Sequence, residues 1–323
     1  MTPFARAIQA VVLALVSATS ALAADPYPAK PIRILVASAA GGSLDVTTRL
    51  VAKAMGDKLG QPVIVENVVG AGGLIAFRTV KSAHPDGYTL LAAVNTVVIQ
   101  NAFSKDPGYD VAKDFVGVGP MTRSPFVLVT SNTQSTKGVA DLLARAKASP
   151  GTVTYASAGN GSTTHMAAAM FAQQAGAHMT HVPYKGNSAA WTDLIAARVD
   201  LLFEGVGNSV GMMKDGRMKA LGITSAKRLE VLPDVPTIAE QGVPSYSFYF
   251  WIGLLAPAAT PKDVLATLSA SMRTALANPE LRNRFRDEGS EVMSMSPDEF
   301  TLFIRQEASA AIKLVSDLHL PKE

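Results

Sequence analysis

The sequence predicts an α/β fold of two domains, each a mainly parallel sheet flanked by helices. Three observations carry that reading. The chain has 323 residues, enough for two α/β domains of ordinary size. Between Ile32 and Val94, apolar runs of strand length alternate with helix-period segments, and consecutive βα units of this kind build parallel sheets with helices on their faces. The same pattern restarts near Arg123–Pro125, again with glycines and hydroxyls between strand and helix.

Taken in order, Ile32–Ala37 is an apolar run with strand character. It stops at Ser38-Ala39-Ala40-Gly41-Gly42-Ser43, and a helix follows with Val46, Leu50, Val51, Ala54 and Leu59 on one face. The helix ends near Gly60, and Pro62–Glu66 reads as the second strand. Asn67–Gly73 is a second glycine-rich turn, then a helix runs over Leu74–Ala83 and a third strand over Tyr88–Val94, with Asn95 and Thr96 just past its end. In the second half, strands fall at Phe126–Thr130, Val153–Ser157, His181–Tyr184, Asp200–Phe203 and Ala220–Thr224. Ser135 or Thr136 can cap a helix carrying Val139, Leu142, Leu143 and Ala146. Ala158–Thr163 leads into a helix with His165, and Lys185–Ser188 opens another with Trp191, Leu194 and Ile195. Phe248–Leu255 reads as a strand returning to the first domain. Pro261 and Pro279 suit first helical positions. Ser296-Pro297-Asp298-Glu299 forms a capping box for a last helix with Phe300, Phe303, Ile304, Ala308, Ile312 and Val315 on its apolar face. The boundaries expected are 24–124 plus 247–323 for one domain and 125–246 for the other.

Composition removes several functions. With 48% hydrophobic and 17% charged residues the chain is globular. The net charge of +3 comes without any basic run, which argues against nucleic acid. The absence of cysteine excludes disulfides, thiolate zinc sites, cysteine nucleophiles and a cysteine lipid anchor. Arg6 followed by the apolar stretch Ala7–Ser20 and then Ala21-Leu22-Ala23 reads as an export signal cleaved after Ala23, residues 1–23 in all. An exported protein without a lipid anchor needs an outer membrane to retain it, so a Gram-negative periplasm is the compartment expected.

Two turns have the chemistry of an anion site. Ser38–Ser43 and Gly159–Thr163 each join a strand to a helix N-terminus, where backbone N–H groups lack internal partners and the helix dipole is positive. Neither contains lysine or arginine. The plain alternative is a tight turn that needs glycine and binds nothing. Asp45, in the first turn of its helix, reads as structural, because a carboxylate there repels an anion and complements the dipole. His165 reads equally as a ligand contact or a packed histidine, and Tyr184 as a stacking group or a core tyrosine. His178 and His181 lack a third metal ligand nearby, and no G-x-S-x-G elbow, Walker A or complete dinucleotide fingerprint is present.

The chain resembles the substrate-binding proteins of tripartite tricarboxylate transporters, the Bug family. The resemblance is carried by AAGGSLDVTTR (Ala39–Arg49), ENVVGAGG (Glu66–Gly73), DGYTLL (Asp86–Leu91), GNGSTTHMAAAMF (Gly159–Phe171), HVPYKGNSAAWTDLIAARVD (His181–Asp200) and LPDVPTIAEQG (Leu232–Gly242), six motifs in order over nearly the whole mature chain. It implies a periplasmic two-domain Venus-flytrap fold of type II, with two crossovers and a small carboxylate held between the domains. It implies a ligand site built from Ser38, Ala40, Gly41, Gly42, Ser43, Asp45, Asn95, Thr96, Gly159, Gly161, Ser162, Thr163, His165, Tyr184 and Gly186. Leu44 stands where the family often has threonine or another small polar residue, which puts the usual ligand choice in doubt. The expected role is capture and delivery of a small organic anion to membrane permease subunits, by a monomer with no cofactor, no metal and no catalytic residue. Two competitors are presentation of the loaded protein to a sensor kinase, and a periplasmic hydrolase or isomerase using His165 with Ser162 or Thr163. Leu44, Trp191, Phe248, Phe250 and Trp251 would suit an apolar ligand tail, with core packing as the alternative.

Overall fold

The computed structural model describes residues 26–320, so the export signal expected at residues 1–23 lies outside the described residues. The first lobe opens with β1 (Ile32–Val36), α1 (Ser43–Leu59), β2 (Val63–Asn67), α2 (Leu74–Lys81), β3 (Thr89–Val94) and α3 (Thr96–Phe103). After a single turn, α4 (Val111–Asp114), the long strand β4 (Phe115–Ser131) leads into the second lobe. That lobe holds α5 (Val139–Ala148), β5 (Thr154–Ser157), α6 (Thr163–Gln174), β6 (Thr180–Pro183), α7 (Asn187–Ile195), β7 (Leu201–Gly205), α8 (Val206–Lys214) and β8 (Met218–Ile223). The chain returns through β9 (Tyr249–Pro257) and ends with α9 (Lys262–Leu276), α10 (Pro279–Asp287), β10 (Glu291–Val292) and α11 (Pro297–Asp317).

The strands form one path, β2-β1-β3-β9-β4-β7-β5-β6, with β8 and β10 also paired to β4. Each lobe has a parallel triad, β2-β1-β3 in the first and β6-β5-β7 in the second. Antiparallel strands complete both sheets. Residues 115–125 of β4 pair with β9, whereas Phe126 onward pairs with β7 and Val127 onward with β8. One strand therefore serves both lobes and changes partners between Pro125 and Phe126. The return crossing sits beside it: Phe248 N–H donates to Thr224 O at 2.9 Å, and Tyr249 pairs with Pro125.

The first half of β4, α3 and α8 were not expected from sequence. Val116–Pro120 interleaves glycine and proline, which reads as a loop. The glycines are there for packing. A Cβ at Gly117 would stand 2.8 Å from Phe300, and one on Gly253 would collide with the same ring. The α3 segment carries Val97, Val98 and Ile99 buried in succession, so its pattern lacks an exposed face to reveal the helical period. The α8 sequence VGNSVGMMK contains two glycines and little propensity.

Helix ends follow the sequence in part. Pro279 occupies the first turn of α10, and Ser296 with Glu299 forms the capping box of α11. The residue before α5 is Gly138, not Ser135 or Thr136, and Pro261 is the N-cap of α9 and not its first helical residue. On α11, Phe300, Ile304 and Val315 are buried, but Ile312 is 63% exposed and lies off the apolar face.

Candidate functional site

The carboxyl ends of both parallel triads meet at one cavity of about 180 Å³. From the first lobe it is lined by the turns Ala37–Ala39 and Gly42–Leu44, by Val69–Gly73 and by Val94 and Thr96. From the second come Ala158, Gly159, Ser162–Thr164, Tyr184–Ser188, Glu204 and Gly205. Phe126 and Phe250, from the two connecting strands, close the floor. This is the edge where parallel sheets present backbone amides.

The turn after β1 is built to leave donors free. Gly41 has φ +83°, which favours glycine, and its N–H donates back to Asp45 at 3.0 Å. Asp45 also accepts from Arg49 Nε and Asn67 Nδ2, both at 2.9 Å. Burial pushes its carboxyl up, but the Arg49, Gly41 and Asn67 donors outweigh that and hold it below the usual carboxylate range. Asp45 thus faces away from the cavity and fixes the turn. Gly42 caps α1 without a side-chain bond, and the first intrahelical bond is Val46 N–H to Gly42 O. Among the described residues, the N–H groups of Ser43 and Leu44 have no acceptor.

The turn after β5 behaves differently. Gly159 N–H donates to Ser157 Oγ, Gly161 N–H to His165 Nδ1, Ser162 N–H to Gly159 O, Thr163 N–H to Thr96 Oγ1 and His165 N–H to Ser162 Oγ. This loop therefore spends most of its donors on itself and on the opposite lobe. The free donors of the second lobe are one turn further along. Gly186, at φ +111°, precedes α7 with no side-chain cap, and among the described residues Asn187 and Ser188 N–H have no acceptor.

Of the residues expected at the site, Ser38, Gly42, Ser43, Thr96, Gly159, Ser162, Thr163, Tyr184 and Gly186 line the cavity. Ala40, Gly41, Asp45, Asn95, Gly161 and His165 do not. Ala40 and Gly41 are on the outer side of their turn, exposed. Asn95 turns to the connecting strands, accepting from Trp251 N–H at 2.9 Å and donating to Glu307 at 3.2 Å. Gly161 has φ +67° and packs so closely on Phe103 and Gln100 that a Cβ would overlap both at 2.7 Å. His165 lies under its loop, stacked on His181 at 3.9 Å between ring centroids. Burial drives both imidazoles down, His165 to about 3 and His181 to about 4, so both are neutral packing groups. Tyr184 lines the cavity with its hydroxyl committed to Asp193 at 2.8 Å.

Direct contacts join the lobes around the cavity. Thr96 Oγ1 and Thr163 Oγ1 are 2.9 Å apart, Gln100 Nε2 donates to Asn160 O at 2.6 Å, and Asn208 Nδ2 donates to Ser43 Oγ at 3.3 Å. Gly205 makes room for Ser43, whose Oγ would collide with any Cβ there.

Residues not singled out as site groups from sequence also line the cavity: Val69–Gly73, Phe77, Phe126 and Glu204. Val69–Gly73 was legible as a glycine-rich turn at the binding edge. Glu204 follows the apolar run Leu201-Leu202-Phe203, and an acid at the carboxyl end of a buried strand is the signal that could have found it. Of the candidate apolar wall residues, Leu44 and Phe250 line the cavity, Trp191 sits behind Glu204, and Phe248 and Trp251 face a separate cavity behind the connecting strands.

Residues 47–320 match the family model described as tripartite tricarboxylate transporter family receptor. The chain is 33% identical to protein BugT of Bordetella pertussis over 303 residues, 93% of each chain. Among solved structures it resembles the periplasmic binding protein BugD, with a TM-score of 0.87 and 31% identity, over 92% of this chain and 100% of that one. It also resembles MatC from Rhodopseudomonas palustris with bound malate, with a TM-score of 0.85 and 30% identity, over 90% of this chain and 100% of that one.

Proposed function

The chain belongs to the tripartite tricarboxylate transporter receptor (Bug) family of periplasmic solute-binding proteins, which are not enzymes, and from that premise we propose that it captures a small carboxylate in the cleft between its lobes and delivers it to a tripartite tricarboxylate-type membrane permease. The single observation that carries this reading is the pair of helix starts, Ser43–Leu44 and Asn187–Ser188, whose unpartnered N–H groups approach one cavity from opposite lobes. Helix N-termini bind anions through such donors without any side-chain cation. The malate bound by MatC is a ligand of the same chemical class.

The proposed lobes are residues 24–124 with 247–323, and residues 125–246. The change of partners on β4 between Pro125 and Phe126, and the start of β9 at Tyr249, lie within about two residues of these limits and support them. Export with cleavage after Ala23 completes the reading. Intact-mass measurement of the periplasmic fraction would return a chain starting at Ala24; a chain retaining residues 1–23 contradicts it.

Thermal-shift and calorimetric screening of the mature protein against mono-, di- and tricarboxylates and aromatic acids tests the function. Saturable one-to-one binding of a carboxylate is the expected result. No binding by any acid on the panel would remove this reading.

A further inference from the structure

Glu204 stands out in a cleft read as an anion site. It is the penultimate residue of β7, lines the cavity, and is 3% exposed. Its Oε2 accepts from Trp191 Nε1 at 2.8 Å, and its Oε1 accepts from Gly205 N–H at 2.8 Å and Asn208 Nδ2 at 3.4 Å. These partners are all donors and Gly205 is the N-cap of α8, so the surroundings are arranged for a carboxylate. The Asn187 side chain donates to it as well, so four donors and no cation surround the carboxylate. Among the described residues no lysine, arginine or histidine forms an ion pair with it. Burial holds its carboxyl above the usual range, although the Trp191, Gly205, Asn208 and Asn187 donors pull against that. A buried carboxylate without a cation is costly, and a bound cation that supplies the missing charge recovers that cost.

The cavity therefore carries both signs of charge. Positive helix starts lie at Ser43 and Asn187 and a buried acid lies beside them at Glu204, while Leu44, Val69, Phe77, Phe126 and Phe250 give the lining an apolar part. A second carboxylate on the ligand would meet Glu204 with like charge. A protonated amine would supply the positive charge that its neutral donors lack.

We propose that Glu204 is the specificity-determining residue of the cleft and that it selects acids also carrying a protonated amine, zwitterions of the amino-acid type with an apolar side chain, over simple mono- and dicarboxylates. This rests on the reading of the cleft as a carboxylate site. In it, the ligand carboxylate meets the free N–H groups of the helix starts, the ammonium meets Glu204, and the side chain lies against the aromatic floor.

Calorimetric titration with matched acids tests it. The probes are L-leucine against 4-methylpentanoate and L-phenylalanine against 3-phenylpropanoate, with malate and adipate alongside, on the mature wild-type protein and on Glu204→Gln. The expected result is that the amino member of at least one pair binds wild type at least about tenfold more tightly than its des-amino partner and than either dicarboxylate. Glu204→Gln should erase that preference. If simple acids bind as well as or better than their amino partners, the inference falls and the carboxylate cleft stands. If no acid binds, both fall. If the preference for the amine survives in Glu204→Gln, Glu204 is not its source and the inference is overturned. Should Glu204→Gln fail to fold by circular dichroism, Glu204→Asp replaces it: the retained charge should keep the amine preferred, and its loss there also overturns the inference.

Discussion

Gly42 and Lys185 separate two ways of holding an anion. Gly42 has φ −75°, which any residue adopts, and the nearest atom to an added Cβ is Ala39 O at 3.8 Å. The glycine is not required by the turn, unlike Gly41 beside it. Its open side faces the cavity, so the branches of valine would occupy ligand space while the lobe folds unchanged. We expect Gly42→Val to weaken carboxylate binding at least tenfold, about 1.4 kcal/mol, with the thermal midpoint of the free protein unaltered. Lys185, exposed at the rim, is a solvated and screened charge, and Lys185→Ala should cost far less. Titration of the two variants side by side decides it; the opposite order would assign the anion to a side-chain cation. A second residue-scale effect comes from the stacked histidines. Unfolded histidine titrates near 6.5, whereas His165 and His181 are held at about 3 and about 4. Between those values the unfolded chain binds protons that the native chain refuses. Stability is thus full above about pH 6.5 and is lost as pH falls toward the folded values. In urea titrations from pH 7 to pH 4.5, His181→Gln should show about half the wild-type acid slope. An unchanged slope would mean that other groups govern acid unfolding.

At the scale of elements, the strand–turn–helix units were legible because each signal is local. An apolar run, glycines and a helical period place β1–α1, β2–α2 and β5–α6 to within a residue or two. The segments that escaped are those whose sequence answers to distant partners. Gly117 and Gly253 yield to the ring of Phe300, which sequence cannot place beside them. The site divided the same way. Sequence identified the turns that end at the cavity, but which turn keeps its donors depends on contacts far apart in the chain. Thr96, more than sixty positions from Thr163, takes its N–H and helps leave the Gly159–Thr163 loop saturated. Asn187 and Ser188 keep theirs because nothing caps α7. Glu204 escaped because its meaning lies in the cavity it faces. The close fit of α8 against α1 gives an element-scale test. Among the described residues, and apart from its chain neighbours, a Cβ built on Gly205 meets only Ser43 within 4 Å, across the cleft. Gly205→Val should therefore fold normally yet hold the lobes apart. Small-angle scattering should show a larger radius of gyration than wild type, and saturating ligand should not restore the compact value. A variant as compact as wild type would mean that the contact does not control closure.

For the whole molecule, the central claim is that backbone groups from both lobes hold one carboxylate. Two strands, β4 and β9, connect the lobes, and the cross-lobe bonds at Thr96–Thr163, Gln100–Asn160 and Ser43–Asn208 describe a closed arrangement. A ligand that bridges the lobes stabilises that arrangement only through contacts absent when they separate. The measurement that addresses this most directly is a ¹⁵N–¹H correlation spectrum of the mature protein, recorded free and saturated with the tightest-binding acid of the screen. The account predicts the largest downfield amide shifts at Ser43 and Leu44 on one lobe and at Asn187 and Ser188 on the other, with smaller changes at Gly161 and Thr163, whose N–H groups are already bonded. Large shifts confined to one lobe, or centred on Gly159–Thr163 while Ser43 and Asn187 stay still, would contradict it.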